Sequence, residues 1–146
     1  MTINFDMDGT ITDLYSVKDW LPLLRSYDPA PYAEAAPLLP MKVLAVILTY
    51  MKKAGHTVNI ISWGSKCSTP AYDDAVAFAK RKWLKEQMPD FTFDNIFVVP
   101  YGTPKESLAS GILFDDEEKN RTEWEKVDGN KAYTPEKIFE ILKKIA

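Results

Sequence analysis

The sequence is poor in the residues that staple or ligate: it holds one cysteine, Cys67, and one histidine, His56. A lone cysteine excludes an internal disulfide, and nothing around Cys67 has metal-ligand spacing. His56 stands just before a strand-like stretch, where histidines are commonly structural or solvated, and no catalytic role is assigned to it. No long basic run occurs and the formal net charge is only −3, which argues against a sequence-independent nucleic-acid surface while leaving a local basic face open. No long apolar run occurs either. The most apolar stretch, 41–51, is too short to span a bilayer and ends in Lys52-Lys53. Asp6 and Asp8 stand where a secretory signal would be apolar, so no export signal is read and the expected setting is the cytoplasm. With 46% hydrophobic and 27% charged residues, the chain reads as one soluble domain, 1–146, able to bury a real core.

The stretch that organises the chain is Ile3-Asn4-Phe5-Asp6-Met7-Asp8-Gly9-Thr10. Its apolar run reads as a buried strand ending in two carboxylates one residue apart. Side chains of a strand alternate between faces, so Asp6 and Asp8 project the same way while the extended geometry lasts. Two like charges that close are costly unless a cation or a transferred proton compensates them. Gly9 allows a sharp turn, and Thr10 supplies a hydroxyl donor. The arrangement suits Mg²⁺, with one carboxylate as nucleophile and the other as proton carrier. Asp-x-Asp-Gly also occurs in turns and calcium loops, but a calcium loop continues with another acid or amide and a later glutamate. Ile11 follows Thr10 here, and neither requirement is met.

Prolines 22, 29, 31, 37 and 40 break up the next stretch. Trp20, Leu23, Leu24 and Tyr27 predict one or two short helical turns there. The segment 14–39 is thus a small insertion, read either as a long connection or as a substrate-covering flap. A helix is expected over 41–54, between Pro40 and Gly55, burying Met41, Leu44, Leu48 and Met51. A second strand, 56–62, ends at Ser62, followed by Trp63-Gly64-Ser65; a hydroxyl beside a glycine turn can bond a phosphate oxygen. Ser68-Thr69-Pro70 opens the longest helix, to about Met88, with Tyr72, Val76, Ala79 and Trp83 as its core stripe. Lys80, Arg81, Lys82 and Lys85 on it read as a solvated face. A third strand, 95–99, precedes Thr103-Pro104-Lys105-Glu106, whose capping-box spacing predicts a short helix. Lys105 then lies in the first turn, against the helix dipole, a place made favourable by a nearby anion. Gly111-Ile112-Leu113-Phe114-Asp115-Asp116 is a second buried strand running straight into paired acids. Asn120 is expected to cap a helix through Trp124, 131–133 to be a weak last strand, and Thr134-Pro135 to open a terminal helix.

Strands alternating with helices predict a parallel sheet, whose ligand crevice lies at the carboxyl ends of the strands. Asp6/Asp8, Ser62, Lys105 and Asp115/Asp116 all fall at such ends and would converge on one rim. A cation site, an anion binder and neighbouring carboxylates together describe phosphoryl transfer.

These residues resemble the four motifs of the haloacid dehalogenase superfamily of Mg²⁺-dependent phosphohydrolases. Asp6-Met7-Asp8-Gly9-Thr10 looks like its first motif, Ser62 its second, Lys105 its third and Asp115-Asp116 its fourth, in the family's order. Lys66 competes with Lys105 for the third motif, and Lys119 and Asn120 stand where many relatives carry another acid. The resemblance implies a Rossmann-like three-layer α/β sandwich with strand order 5-4-1-2-3, the first strand central. It implies Asp6 as nucleophile, forming an aspartyl-phosphate, and Asp8 as general acid and then base. It implies Mg²⁺ on the Asp6 carboxylate, the Asp8 main-chain carbonyl and Asp115, with Asp116 supporting that shell. Ser62 and Lys105 would hold the phosphoryl group, with Thr10, Trp63 and Gly64 as further substrate contacts.

The expected substrate is a small phosphomonoester, a nucleotide among the candidates because Trp20, Tyr27 or Trp63 could stack on a base. The alternatives are an end-processing phosphatase on nucleic acid, using the basic face 80–85, and a non-catalytic module that keeps the fold. No membrane partner is expected, and the sequence does not fix an oligomeric state.

Overall fold

The computed structural model describes residues 1–146. Its strands are β1 (Thr2–Phe5), β2 (Thr57–Trp63), β3 (Asn95–Val99), β4 (Ile112–Phe114) and β5 (Lys131–Tyr133). They form one sheet in the order β3-β2-β1-β4-β5, every pairing parallel. Read from the other edge, this is the expected order 5-4-1-2-3, with the first strand central. Parallel neighbours require crossovers. Helices α1 (Trp20–Arg25), α2 (Ala30–Glu34) and α3 (Met41–Lys53) lie between β1 and β2, α4 (Pro70–Gln87) between β2 and β3, and α5 (Glu118–Glu125) between β4 and β5, while α6 (Ile138–Ile145) follows β5. The result is the Rossmann-like α/β arrangement. No helix is long and apolar enough to cross a membrane.

Strand alternation sorts the core into two faces. Ile3, Phe5, Val58, Ile60, Ile112 and Phe114 join α3 and α6 in the larger cluster. Ile61 and Leu113 meet Trp124 of α5 on the opposite face. Met41, Leu44, Leu48 and Met51 of α3 are all buried, each side chain worth roughly 1.5–3 kcal/mol of transfer energy when fully covered. Gly55, at φ 94°, takes the left-handed turn just past that helix. Thr69 caps α4 by accepting the Tyr72 N–H at 3.1 Å.

A polar row crosses the middle of this sheet. Asn4, Asn59 and Asn95 stand opposite one another on β1, β2 and β3. Asn59 Nδ2 donates to Asn4 Oδ1 at 3.0 Å, and Asn95 Nδ2 donates to Asn59 Oδ1 at 3.0 Å. Asn4 Nδ2 donates to the carbonyls of Ser110 and Ile112, each at 2.9 Å. Slipping β1 against β2 by one residue would set these amides against apolar side chains, so the row penalises every register but the observed one.

The segment 14–39 is fastened to α4. Leu14, Leu24 and Tyr32 pack on Tyr72, Val76 and Ala79. Tyr72 Oη donates to the Asp28 carbonyl at 2.9 Å, and Trp83 Nε1 donates to the Ala35 carbonyl at 2.7 Å.

Three local expectations are corrected. The capping box at Thr103 and Glu106 does not form: the Thr103 hydroxyl turns back to the Pro100 carbonyl at 2.6 Å, and only a single 3-10 turn, Lys105–Ser107, follows. Asn120 lies inside α5 rather than at its N-cap, which is Glu117. Strand β2 continues one residue past Ser62, to Trp63.

Candidate active site

The loop leaving β1 is wound around one carbonyl. The Met7 oxygen accepts the N–H groups of Thr10, Ile11 and Thr12 at 3.0, 2.9 and 3.0 Å. This keeps Asp6 and Asp8 on the wall of the same cavity. Gly9 sits at φ 80°, and a Cβ there would run into the Asp116 carboxylate, so both backbone and space demand glycine.

Asp6 is held at both oxygens. Lys105 Nζ donates to Oδ1 at 2.8 Å, and the Thr10 hydroxyl donates to Oδ2 at 2.9 Å. Lys105 also donates to Asp115 Oδ2 at 2.7 Å and is only 3% exposed. Burial alone would pull its pKa down, but the Asp6 and Asp115 charges override this and raise it above the usual lysine value. Asp115 is fully buried, taking further hydrogen bonds from the Glu117 N–H at 2.9 Å and Asn120 Nδ2 at 3.2 Å.

Asp6, Asp115 and Asp116 bring carboxylate oxygens within 4.8 Å of one another. Burial, then the Asp6 charge, pushes the Asp115 pKa up to about 6 and that of Asp116 up to about 8. Such crowding is what a divalent cation relieves. The donor set is oxygen only, without histidine or cysteine, which fits Mg²⁺ and not a soft or borderline metal. Asp8 stands outside this group, and its carboxyl pKa is raised chiefly by burial against the opposing charge of Lys80.

Lys80 is the residue that sequence reasoning misplaced. It is 1% exposed, not part of a solvated face. Its ammonium group donates to Asp8 Oδ2 at 2.8 Å, Ser62 Oγ at 2.6 Å and the Trp63 carbonyl at 2.7 Å, and it lies 4.9 Å from the Tyr32 ring centroid. A helical signal was available. Position 80 is four residues after Val76 and three before Trp83, within the stripe already assigned to the core.

The cavity, about 470 Å³, is lined by Asp6, Asp8, Lys105 and Asp115 at its base, and by Tyr15, Trp20, Leu24, Tyr32, Trp63 and Tyr101 around its walls. Trp63 and Gly64 are wall residues, whereas Ser62 and Thr10 are fully buried beneath it. Lys66 lies on the exposed wall and contacts no acid, so of the two competing lysines it is Lys105 that reaches Asp6. Trp20 faces the cavity, but Tyr27 lies outside it, edge-on to Tyr72 at 5.6 Å.

No family model matches the sequence, and no curated protein gives a significant match. Among solved structures, the chain is similar to the D,D-heptose 1,7-bisphosphate phosphatase from B. bronchiseptica, determined in complex with magnesium and phosphate. The two are 14% identical, with a TM-score of 0.58 over 99% of each chain. That likeness establishes a shared fold.

Proposed function

We propose that the protein is a Mg²⁺-dependent phosphomonoester hydrolase working through an aspartyl-phosphate. The observation that carries this reading is the Asp6 carboxylate. It faces the cavity, is pinned at both oxygens by Lys105 and Thr10, and lies within a cluster of acids suited to a hard cation. The similar fold of a phosphatase supports it.

In this mechanism an Asp6 oxygen attacks phosphorus while the ester oxygen leaves, taking a proton from the Asp8 carboxyl group. The phosphoryl group is then carried on Asp6. Asp8, now a carboxylate, accepts a proton from water as that water attacks phosphorus, and the Asp6–phosphate bond breaks to free the carboxylate. Lys105 offsets negative charge beside Asp6 throughout. A cation would be held by Asp6, Asp115 and the Asp8 main-chain carbonyl, supported by Asp116. When bound, it supplies charge neutralisation and orientation for the phosphoryl oxygens.

The aromatic walls favour an ester with a flat or apolar leaving group. A nucleotide fits that description, with Trp20, Trp63 or Tyr101 available for stacking. The expected result is hydrolysis of an aryl phosphate that EDTA abolishes and added Mg²⁺ restores. Undiminished activity in chelator would count against the metal, and no activity on a broad phosphomonoester panel would count against the reaction.

A further inference from the structure

Building on the hydrolase reading above, we propose that Lys80 is a positioning residue for Asp8, fixing the proton carrier from the helix beneath the cavity floor. A buried lysine needs partners for three N–H bonds, and Lys80 has three: Asp8 Oδ2, Ser62 Oγ and the Trp63 carbonyl, all within 2.8 Å. Each belongs to the carboxyl end of β1 or β2. Fastening α4 to the sheet calls for no such arrangement, because its apolar side chains Trp83 and Leu84 already pack in one cluster with the strand residues.

Asp8 depends on this contact more than Asp6 depends on any one of its own. Its other oxygen has only the Thr12 hydroxyl, at 3.4 Å, and that hydroxyl is closer to the Met7 carbonyl at 3.1 Å. The Lys80 bond is therefore the single short restraint on the Asp8 carboxyl group, whose side chain remains 20% exposed to the cavity. A lysine has no acceptor, so Ser62 must accept from it, and the Ser62 proton is left to point elsewhere. On the outer side, Lys80 lies against Tyr32 of α2, within a segment riveted to α4 on either side of it by the Tyr72 and Trp83 bonds. One ammonium group thus ties the wall of the cavity to the residue that moves the proton.

A positioning role makes a specific kinetic demand. Proton delivery matters most when the leaving group is a poor one, so loss of Lys80 should tell most on esters of weakly acidic alcohols or phenols. The probes are phenyl phosphate and 4-nitrophenyl phosphate, which share a ring and differ in leaving-group acidity. Lys80→Met should lower kcat on phenyl phosphate on the order of 10²-fold, the scale of a displaced catalytic group. On 4-nitrophenyl phosphate the loss should be under about 10-fold, because little protonation is needed. Added to Asp8→Asn, Lys80→Met should cost almost nothing more, since it acts through a group already removed. Lys80→Gln, one bond shorter but still carrying a donor, serves the same cycle if the methionine variant does not fold.

Equal losses on the two esters, or a Lys80 effect that persists undiminished in the Asp8→Asn background, would overturn the positioning role and leave the hydrolase reading standing. A protein that hydrolyses neither ester overturns that reading and this one with it.

Discussion

Two buried polar residues lie at β1, Asn4 within the strand and Asp6 just past its end, and the surroundings of the two are built on opposite principles. Around Asn4, three amides and two carbonyls pair neutral donor with neutral acceptor, and no buried side-chain atom of the row is without a partner. Around Asp6, four carboxylates, those of Asp6, Asp8, Asp115 and Asp116, face two buried lysines, Lys80 and Lys105. The asparagine row is complete in the bare protein. The charged rim has surplus negative charge, and burial, then the Asp6 charge, raises the pKa values of Asp115 and Asp116. On the hydrolase reading, polar groups that serve the fold are satisfied internally, and those that serve chemistry are left for a cation and a substrate to satisfy.

Asp6→Asn should give the largest effect. On the proposed mechanism it removes the nucleophile and a metal ligand together, so turnover should vanish and no phosphoenzyme should form from any labelled substrate. Asp8→Asn should follow, costing ~10²–10⁴-fold in rate while Mg²⁺ still binds through the unchanged main-chain carbonyl. With an aryl phosphate, label should then accumulate on Asp6, and peptide mapping locates it. Label on Asp8 in the unmutated protein would reverse the two roles.

Lys105→Ala should come next. It leaves the buried Asp6–Asp115 pair without its counter-charge, a loss of roughly 3–5 kcal/mol when one partner of a buried pair is removed. Lys66→Ala, on the exposed wall, should change kcat little. The opposite order of severity in a side-by-side rate measurement would move the phosphate-site lysine to the loop after β2.

How much of this was legible in the sequence depends on range. The strands that run into acids, at Phe5-Asp6 and Phe114-Asp115, are local patterns; the parallel sheet followed from alternation with helices, and its strand order from the family resemblance. Lys105 was legible because it opens a helical turn after the third strand, where a cation calls for a nearby anion. Lys80 was not, since a run of basic residues on a helix normally faces water, and only the helical phase set it apart. The asparagine row was also missed. Asparagine is disfavoured in strands, yet Asn4 and Asn59 sit inside apolar runs, and only the pairing of distant strands gives them partners. The Thr103 capping box misled for a related reason: spacing predicts a cap, but the hydroxyl had a nearer acceptor in its own turn.

The metal response should depend on pH in a defined direction. Asp115 and Asp116, with pKa values raised to about 6 and about 8, must lose their protons to bind a cation. Apparent Mg²⁺ affinity should therefore rise from about pH 5 to about pH 8 and level off above it. The sign for stability is the reverse. A carboxyl whose folded pKa is raised binds more protons folded than unfolded, so the metal-free protein should lose stability as pH climbs through the same window. Saturating Mg²⁺ should flatten that slope in thermal melts. A metal-free melting curve whose midpoint rises across this range would remove the like-charge crowding from the account.

The smallest effect on chemistry should come from the asparagine row, and that is its value as a control. Asn59→Leu takes the donor away from Asn4 Oδ1, and Asn4 is 0% exposed, so that oxygen has no water to turn to. An unsatisfied buried acceptor costs ~1–3 kcal/mol. Asn95 lies at the exposed edge and can be solvated, so it adds little. For a chain of this size, the melting temperature should fall by roughly 2–4 °C for each kcal/mol lost. Assayed well below that temperature, kcat and the Mg²⁺ requirement should match those of the unmutated protein. Asn4→Leu added to Asn59→Leu should not recover the loss, because it also takes the Asn4 donor from the Ser110 and Ile112 carbonyls. If Asn59→Leu instead lowered kcat without lowering the melting temperature, the row would belong to the site, and the division between the two ends of β1 would not hold.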